Sequence, residues 1–355
     1  MAFTPFSKII GQEKAVDYLK RVVDRAKLSH AYLFTGIPGI GKKSTAYALA
    51  RAVNCYNPTM GEGCGQCGSC RQMMAGSHPD LFVIKPDGQA IKIDQIRHLI
   101  RNLGFKKMSA RFRVSIVSQA ETMTEEAANA FLKILEEPPE ANILILDVVE
   151  ARDLLPTIVS RCQKVSFLPL PSTLIADWLT REQGLVKDQA LVVAKLADGS
   201  LGRAIELTEG GFLEKRHDFL LGLFELPQLA PEEALEVGLN YAGMSKRKEL
   251  DVGGGEGGLF ALLSVWKTWY RDLLIVKVGA PEHLLINIDF VHKLKNMAEH
   301  LTINSLLRSF EVLNQAEHAL KRFRNVDLMM ENTVLALKRL ASRTMNPTEE
   351  VLNGL

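Results

Sequence analysis

The chain has 355 residues, of which 47% are hydrophobic and 24% are charged, a composition typical of globular proteins. Its formal net charge of +2 gives no sign of a strongly basic nucleic-acid-binding chain, although it leaves room for a local basic face. No apolar run approaches the ~20 residues that cross a bilayer, and the first residues lack the layout of a signal peptide. We therefore expect two or three domains in a cytoplasmic protein.

Short apolar runs alternate with helical patterns in the first half of the chain. The predicted strands are His30–Thr35, Leu81–Ile84, Arg113–Val117, Ala141–Leu146 and Lys164–Phe167. The predicted helices between them include Lys42–Cys55, Ile93–Leu103 and Thr124–Leu135. Strands that alternate with helices favour a parallel sheet covered by helices on both faces, which is an α/β fold.

The alternation ends near Pro169–Pro171, and the periodicity beyond it is helical throughout. Longer helices are expected toward the C-terminus, including Leu259–Val276, whose apolar stripe should be core. The glycine-rich stretch Asp251–Gly258 is expected to connect helices. We predict an α/β core over residues 1–168, a small helical domain over 169–210 and an all-helical domain over 211–355.

A glycine-rich loop lies between the first predicted strand and its helix. Its sequence, GIPGIGK from Gly36 to Lys42, fits the P-loop pattern G-x-x-x-x-G-K. In such a loop the glycines, here Gly36, Gly39 and Gly41, turn backbone N–H groups toward phosphates at a helix N-terminus. Lys42 would contact the outer phosphates, so these four residues are the candidate nucleotide contacts.

Two positions that normally hold Mg²⁺ in a P-loop enzyme carry other residues here. The Ser or Thr after the P-loop lysine is replaced by Lys43, and Ser44 points about 100° away on a helix. The third strand is followed by Ser118 and Gln119 instead of the usual carboxylates. Glu121 comes two residues too late and is expected to be a solvated charge. These losses predict weak or absent Mg²⁺-dependent ATP hydrolysis.

Four of the five cysteines fall within sixteen residues, at Cys55, Cys64, Cys67 and Cys70. Four thiolates at short spacing favour tetrahedral Zn²⁺, and four protein ligands make such a site structural. In a reducing compartment this pattern indicates a metal site rather than disulfides, although unliganded cysteines or a redox pair stay open. Cys162 is expected to be a small buried residue outside the site.

Three further stretches carry a family resemblance. The run Asn129–Pro139, the run Leu154–Cys162 and the N-terminal Ile9–Gln12, together with the cysteine insertion, resemble the bacterial clamp-loader subunits of the AAA+ superfamily. The resemblance covers residues 9–203, and the helical remainder fits by length and layout alone. It implies an AAA+ core with a zinc-binding insertion at 55–70, a helical lid and a C-terminal collar that joins subunits.

The resemblance includes two classes of subunit. Chains like gamma/tau carry a complete G-K-[ST], Asp-Glu after the third strand and a Thr or Asn sensor after the fourth. This chain has Lys43 and Ser118-Gln119, and Asp147–Glu150 follows the fourth predicted strand. Chains like delta-prime keep the fold while tolerating these losses, so the chain is more similar to delta-prime. A gamma/tau-like active ATPase is the alternative.

The resemblance also implies a function and partners. Such loaders are pentamers that use ATP to open a sliding clamp and place it on primed DNA, with delta-prime as a stator beside gamma/tau and delta. Arg161 in Ser160-Arg161-Cys162 matches an arginine finger that acts on a neighbour's nucleotide; the alternative is a surface arginine that pairs with a local carboxylate. Arg203 resembles the second sensor, a nucleotide contact within the chain, or else bridges lid and core.

Three alternatives stay open at this stage. The chain could be an autonomous ATPase with unusual Mg²⁺ ligands, or it could bind nucleotide through Lys42 without hydrolysis. It could also be a zinc-containing binder of single-stranded DNA. The cysteine insertion has few basic or aromatic residues beyond Tyr56 and Arg71, and stacking platforms need more.

Overall fold

Five strands build one parallel sheet in the spatial order β2-β3-β4-β1-β5. The strands are β1 (Ala31–Thr35), β2 (Leu81–Ile84), β3 (Arg113–Val117), β4 (Asn142–Val148) and β5 (Gln163–Ser166). The predicted parallel sheet is confirmed. Strand β4 runs two residues beyond its predicted end, so Asp147 lies inside the strand and opposite Phe34 of β1.

This structure is a computed structural model that describes residues 4–104, 108, 110–246, 258–321 and 325–342. The chain divides into two compact units. The first comprises residues up to 171 together with 199–202, and the second comprises 172–198 together with residues from 203 onward. The predicted division into three domains stays a prediction, because compactness alone groups the segment 172–198 with the C-terminal helices.

Helices cover both faces of the sheet in the first unit. They are α1 (Glu13–Asp24), α2 (Lys42–Val53), α3 (Gly68–Met74), α4 (Ile93–Gly104), α5 (Glu125–Glu136) and α6 (Pro156–Val159). Side chains of α1 and α2, such as Leu19 and Leu49, share one buried cluster with Phe34. Those of α4 and α5 share the other with Leu33 of the same strand. Adjacent residues of β1 therefore point to opposite layers, as the period of a strand requires.

Helix α5 begins and ends where its sequence dictates. The hydroxyl oxygen of Thr124 accepts a hydrogen bond from the Ala127 backbone N–H at 3.3 Å, which caps the helix N-terminus. Glu125 and Glu126 in the first turn complement the positive end of the helix dipole. The helix stops just before Pro138, which cannot continue it.

The second unit is helical throughout its described residues. Its longer helices are α7 (Ser172–Gln183), α8 (Lys187–Leu196), α9 (Leu201–Glu209), α10 (Phe212–Glu225), α11 (Pro231–Lys246), α12 (Gly258–Lys277), α13 (Val291–His300), α14 (Ile303–Lys321) and α15 (Val326–Ser342). Trp266 and Trp269 of α12 are fully buried, as its apolar stripe predicts. Trp266 donates its indole N–H to the Phe219 carbonyl at 2.9 Å, which satisfies its polar atom. Most of the predicted glycine-rich connection, residues 251–257, lies outside the described residues.

Within the described ranges, no helix is both long enough and apolar enough to cross a membrane.

A buried ion pair joins β2 and β3 at one end of the sheet. The carboxylate of Asp80, fully buried, lies 3.2 Å from the guanidinium of Arg113, which is also buried. It also accepts the backbone N–H of Met108 at 3.1 Å and that of Ala110 at 3.0 Å. Because its oxygen atoms are satisfied, the charge is tolerated in the interior.

We expect Asp80→Ala to lower the free energy of unfolding of the first unit by about 3–5 kcal/mol, since it leaves a buried guanidinium without its counterion. Hydrogen exchange of the β3 backbone amides measures this free energy. Asp87→Ala is the matched control, because Asp87 is an exposed carboxylate in an exposed pair with Lys92 and should change the protection of β3 much less. Equal effects of the two substitutions would contradict the role given to Asp80.

Candidate nucleotide-binding loop and metal centre

The glycine-rich loop follows β1 directly and ends at the first turn of α2, as predicted. Gly36 has φ +146°, and a Cβ added there would lie 2.7 Å from the Phe167 carbonyl oxygen. Gly41 has φ +107° and precedes the first residue of α2. Both positions therefore require glycine, and the loop has the tight turn and the helix N-terminus of a P-loop.

The ammonium of Lys42 faces inward and is surrounded by oxygen atoms. Its side chain is 6% exposed, and its Nζ lies 3.2 Å from Asp147 Oδ1. It also donates hydrogen bonds to the Ile37 carbonyl at 3.0 Å and to the Gly36 carbonyl. An ammonium has three N–H donors, and three oxygen atoms of the chain itself lie within their reach.

Asp147 is a site residue that sequence reasoning missed. It lies at the carboxyl-terminal end of β4, next to β1, and so close to the start of the glycine-rich loop. Burial raises the pKa of Asp147, while the nearby ammonium groups of Lys42 and Lys43 act in the opposite direction. The signal that could have found it is the adjacency of β1 and β4, which places an acid near the end of β4 beside a lysine that follows β1.

The donor set for a magnesium nucleotide is incomplete in the fold, as it is in the sequence. Lys43 stands at the helix position that needs a hydroxyl, and its Nζ lies 5.9 Å from the centroid of the Tyr47 ring. Burial and the neighbouring Lys85 lower the pKa of Lys43. Ser118 is buried directly after β3, where a carboxylate would bind Mg²⁺. These residues do not fit Mg²⁺ coordination, which favours several oxygen ligands.

Glu121 departs from its predicted role as a solvated charge. It lies in a short 3₁₀ turn, Ala120–Thr122, and its Oε2 atom is buried. Burial raises the pKa of Glu121, and the carboxylate of Asp147 acts in the same direction while the ammonium of Lys42 opposes it. Glu121 is therefore a second acidic side chain in the electrostatic environment of the glycine-rich loop.

The tip of the loop contacts residues 199–202, which belong to the same compact unit. The Ser200 hydroxyl donates a hydrogen bond to the Pro38 carbonyl at 2.8 Å, and the Gly202 backbone N–H donates one to the Gly39 carbonyl at 2.8 Å. A Cβ added to Gly202 would lie 2.8 Å from the Gly39 Cα, so the two backbones touch. The tip is therefore held by the chain itself.

The two candidate arginines lie in different compact units. Arg161 follows α6 in the first unit, is 36% exposed on its side chain, and pairs with Glu136 at 3.0 Å. It also donates to the Thr157 carbonyl at 3.0 Å. Arg203 is exposed and lines a cavity of about 380 Å³ in the second unit beside Lys267 and Arg271. The roles predicted for both arginines stay predictions.

The four clustered cysteines converge. The sulfur atoms of Cys55, Cys64, Cys67 and Cys70 all lie within 4.8 Å of one another. Cys55 follows α2, and Cys70 lies in α3, whose N-terminus is capped by the sulfur of Cys67. Four thiols at this separation fit a single tetrahedral ion, because metal–sulfur bonds of ~2.3 Å place ligands about 4 Å apart. The cluster could hold one metal ion.

Backbone N–H groups point at the sulfur atoms of this cluster. The N–H of Cys64 lies 3.2 Å from the Cys55 sulfur, and that of Cys67 lies 3.4 Å from the Cys64 sulfur. Hydrogen bonds from the backbone of Gln66 and Cys67 lower the pKa of Cys64 to about 6, whereas burial raises the pKa of Cys70. Such N–H donors stabilise the thiolate form that binds metals.

Glu62 ties the cysteine segment to the first unit. Its Oε1 accepts hydrogen bonds from the Ser7 backbone N–H and hydroxyl, both at 3.1 Å. Its carboxylate also lies 3.6 Å from Lys20 of α1 and 3.8 Å from Arg51 of α2. Gly61 sits so close that an added Cβ would lie 2.4 Å from the Lys20 carbonyl oxygen. The segment is therefore packed on the core.

The five-stranded parallel sheet with its P-loop, and the helical second unit, define an α/β P-loop protein with a further helical region. Two family models match the chain: one described as DNA polymerase III, delta subunit, over residues 11–171, and one described as DNA polymerase III, delta subunit, C terminal, over residues 260–339. Together the two matches include the sheet, the cysteine cluster and much of the C-terminal helical region.

The chain is 31% identical to DNA polymerase III subunit delta-prime of Bacillus subtilis over 92% of this chain and 96% of that protein. It is 29% identical to subunit tau of the same organism, over 98% of this chain and 63% of that longer protein. A gamma-subunit-related protein of Thermotoga maritima, a crystal structure, superposes with TM-score 0.47 at 20% identity, over 92% of this chain and 99% of that one. The identity to the Bacillus subtilis delta-prime subunit, over nearly the full length of both chains, shows that the chain belongs to the DNA polymerase III delta-prime family.

Proposed function

We propose that this protein is a non-hydrolysing subunit of a DNA polymerase III clamp loader, the machine that opens a sliding clamp and places it on primed DNA. Membership of the delta-prime family supports the assignment to the loader. The observation that carries the non-hydrolysing role is the state of the P-loop. Its lysine is engaged by Asp147, and Lys43 and Ser118 stand where Mg²⁺ ligands are required.

We propose that the chain contributes to ATP hydrolysis through Arg161, as an arginine finger that reaches the nucleotide of a neighbouring gamma/tau subunit. Its guanidinium is on the surface, and Arg161 lies just after the short helix α6. The pair with Glu136 is exposed on both sides, and exposed pairs contribute about 0.2–1 kcal/mol. Release of Arg161 to a neighbour's phosphates would break this pair and the exposed hydrogen bond to the Thr157 carbonyl, both of which water can replace at small cost.

For the four-cysteine cluster we propose structural Zn²⁺. Cys55, Cys64, Cys67 and Cys70 offer four thiolates, which suit Zn²⁺ and leave it no open position for a substrate. When bound, the ion would cross-link the end of α2 to α3. The segment would then present a rigid surface, held to the core through Glu62.

The partners that we propose are the gamma/tau and delta subunits, with the sliding clamp and primed DNA contacted through the assembly. The C-terminal unit carries large apolar side chains that are 43–54% exposed on separate helices: Leu221, Leu239, Leu307 and Leu328. Some of these side chains would be covered by neighbouring collars in a pentamer.

The test of the non-hydrolysing role compares the chain alone with the assembled loader. We expect the isolated chain to give no Mg²⁺-dependent ATP turnover, with an isolated gamma/tau subunit as the positive control. Mixed with gamma/tau and delta, it should assemble and support DNA-stimulated hydrolysis. Turnover by the isolated chain that Lys42→Ala abolishes would overturn the proposal in favour of a gamma/tau-like active ATPase.

A further inference from the structure

We propose that Asp147 is an internal latch that holds Lys42 and keeps nucleotide phosphates out of the P-loop. This inference goes beyond the absence of hydrolysis, because lost Mg²⁺ ligands alone would still allow a nucleotide to bind. It starts from the proposed function but concerns a different step, the entry of the phosphates themselves. The latch is made of two side chains: Asp147 near the end of β4, and Lys42 at the start of α2 after the neighbouring strand β1.

The first argument is the coordination of the lysine. Phosphate oxygens bind to a P-loop lysine through its N–H donors, of which there are three. In this chain those donors face Asp147 Oδ1 at 3.2 Å, the Ile37 carbonyl at 3.0 Å and the Gly36 carbonyl. Lys42 is 6% and Asp147 16% exposed, so water competes poorly for this pair. A phosphate must displace at least one of these three oxygen atoms to bind Lys42, and the carboxylate is the charged one among them.

The second argument is charge. A polyphosphate carries several negative charges, and it would enter a loop whose inner wall presents the carboxylate of Asp147. Glu121 adds a second partly buried carboxyl group that interacts with the first. Like charges at short range in a partly desolvated site repel each other strongly. The acids therefore oppose the attraction that the helix N-terminus of α2 exerts on anions.

The third argument is the tip of the loop. Ser200 donates to the Pro38 carbonyl and Gly202 to the Gly39 carbonyl, both at 2.8 Å. The loop is thus fastened at its tip as well as at its lysine, and its geometry is fixed without any ligand. Because Lys42 must leave its contacts within the chain before it can bind phosphate, the apparent affinity is reduced in proportion to the small fraction of molecules in which Lys42 is released.

Replacing the latch with a neutral side chain should restore binding. Asp147→Asn removes the negative charge and keeps an oxygen that can accept a hydrogen bond from Lys42. We expect the Kd for ATP and for ADP, measured by calorimetry on the full chain, to fall at least tenfold. Asp147→Thr, the second neutral variant, should act in the same direction. Asp147→Glu, which keeps the charge, should bind as weakly as the unmodified chain.

Two controls separate the latch from general charge effects. Asp94→Asn removes a surface carboxylate that is 87% exposed and pairs with Arg97. This variant should leave the Kd for ATP and ADP unchanged. Lys42→Ala combined with Asp147→Asn should abolish the gain, because the lysine that phosphate binds is gone. Thermal unfolding by circular dichroism should show all of these variants folded.

The outcomes distinguish the latch from the proposed function. No gain in affinity in both Asp147→Asn and Asp147→Thr, with the fold intact, would overturn the latch. The latch would also be overturned if the unmodified chain bound ATP as tightly as Asp147→Asn and Asp147→Thr do. Neither result bears on hydrolysis. The regained binding should be the same with Mg²⁺ or with a chelator, since Lys43 and Ser118 offer no Mg²⁺ site; a strict Mg²⁺ requirement would contradict the non-hydrolysing role and leave the latch standing.

Discussion

Arg161→Ala should slow ATP hydrolysis about 10³-fold at the one neighbouring site that this arginine serves. In a rapid-mixing experiment on the assembled loader with primed DNA, the burst of phosphate release should lose the contribution of that site. Clamp loading should slow with it. The size of the effect follows from the charge that a guanidinium neutralises on the transferred phosphoryl group, a stabilisation realised only in the transition state.

The chemistry of the guanidinium makes the prediction specific. Arg161→Lys keeps the positive charge but loses the planar fork that can bind two phosphate oxygens at once, so it should recover little of the lost rate. In the isolated chain Arg161 pairs with Glu136, which is 52% exposed. Because that pair is weak, Arg161→Ala should leave the stability of the isolated chain nearly unchanged.

A matched control is available a few residues upstream. Arg152 is 80% exposed and pairs with the local carboxylate of Glu150 at 2.6 Å, so it is likewise a surface arginine with a carboxylate partner, but without a predicted contact in trans. Arg152→Ala should leave the burst intact. The Arg161→Ala loader could instead show unchanged phosphate release and clamp loading, with normal co-purification of its subunits. That result would contradict the arginine-finger role and leave Arg161 as a surface arginine that pairs with a carboxylate.

Removing one cysteine ligand should strip the metal and unfold the segment around it. We expect one tightly bound zinc per chain by elemental analysis, and a metal content near zero in Cys70→Ser. Structural zinc sites contribute about 10–16 kcal/mol of apparent binding free energy in small peptides, and this becomes folding free energy of the segment. Hydrogen exchange should show α3 losing protection while β3 keeps it.

Cys162→Ser is the matched control. Cys162 lies outside the cluster, so this variant should retain its full zinc content. The affinity should also fall as the pH is lowered, because protons compete with the metal for thiolates and binding releases them. Two results would contradict a structural metal site. One is full metal content in Cys70→Ser, and the other is a metal-free chain in which α3 keeps its protection from hydrogen exchange.

The sequence predicted the layers of the first unit well, because the signals involved are local. The short apolar run Arg113–Val117 predicts a buried strand, and the structure has β3 at those residues with all five buried. Spacing alone also predicted the cysteine cluster, since its ligands lie within one short segment. The P-loop followed from glycines that no other residue can replace, as Gly36 shows by its contact with Phe167.

The features that escaped prediction depend on which strands become neighbours. In the sequence, Asp147 is an acid that follows a predicted strand. Its role depends on the pairing of β4 with β1, which brings its carboxylate to Lys42. Glu121 is predicted from the sequence to be a solvated charge, whereas its Oε2 atom is buried in the fold. Residues 199–202 belong to the first unit although residues 172–198, which precede them, belong to the second. A division of the sequence into consecutive domains cannot predict this arrangement.

The strand order also bears on how the chain is made. β1 emerges first from the ribosome, yet both of its neighbours, β4 and β5, are the last strands to be synthesised. Its two edges therefore stay unpaired while most of the first unit is produced, which is a period of exposure to aggregation. The four cysteines of the metal-binding cluster are close in sequence, so this segment can form before the late strands are made.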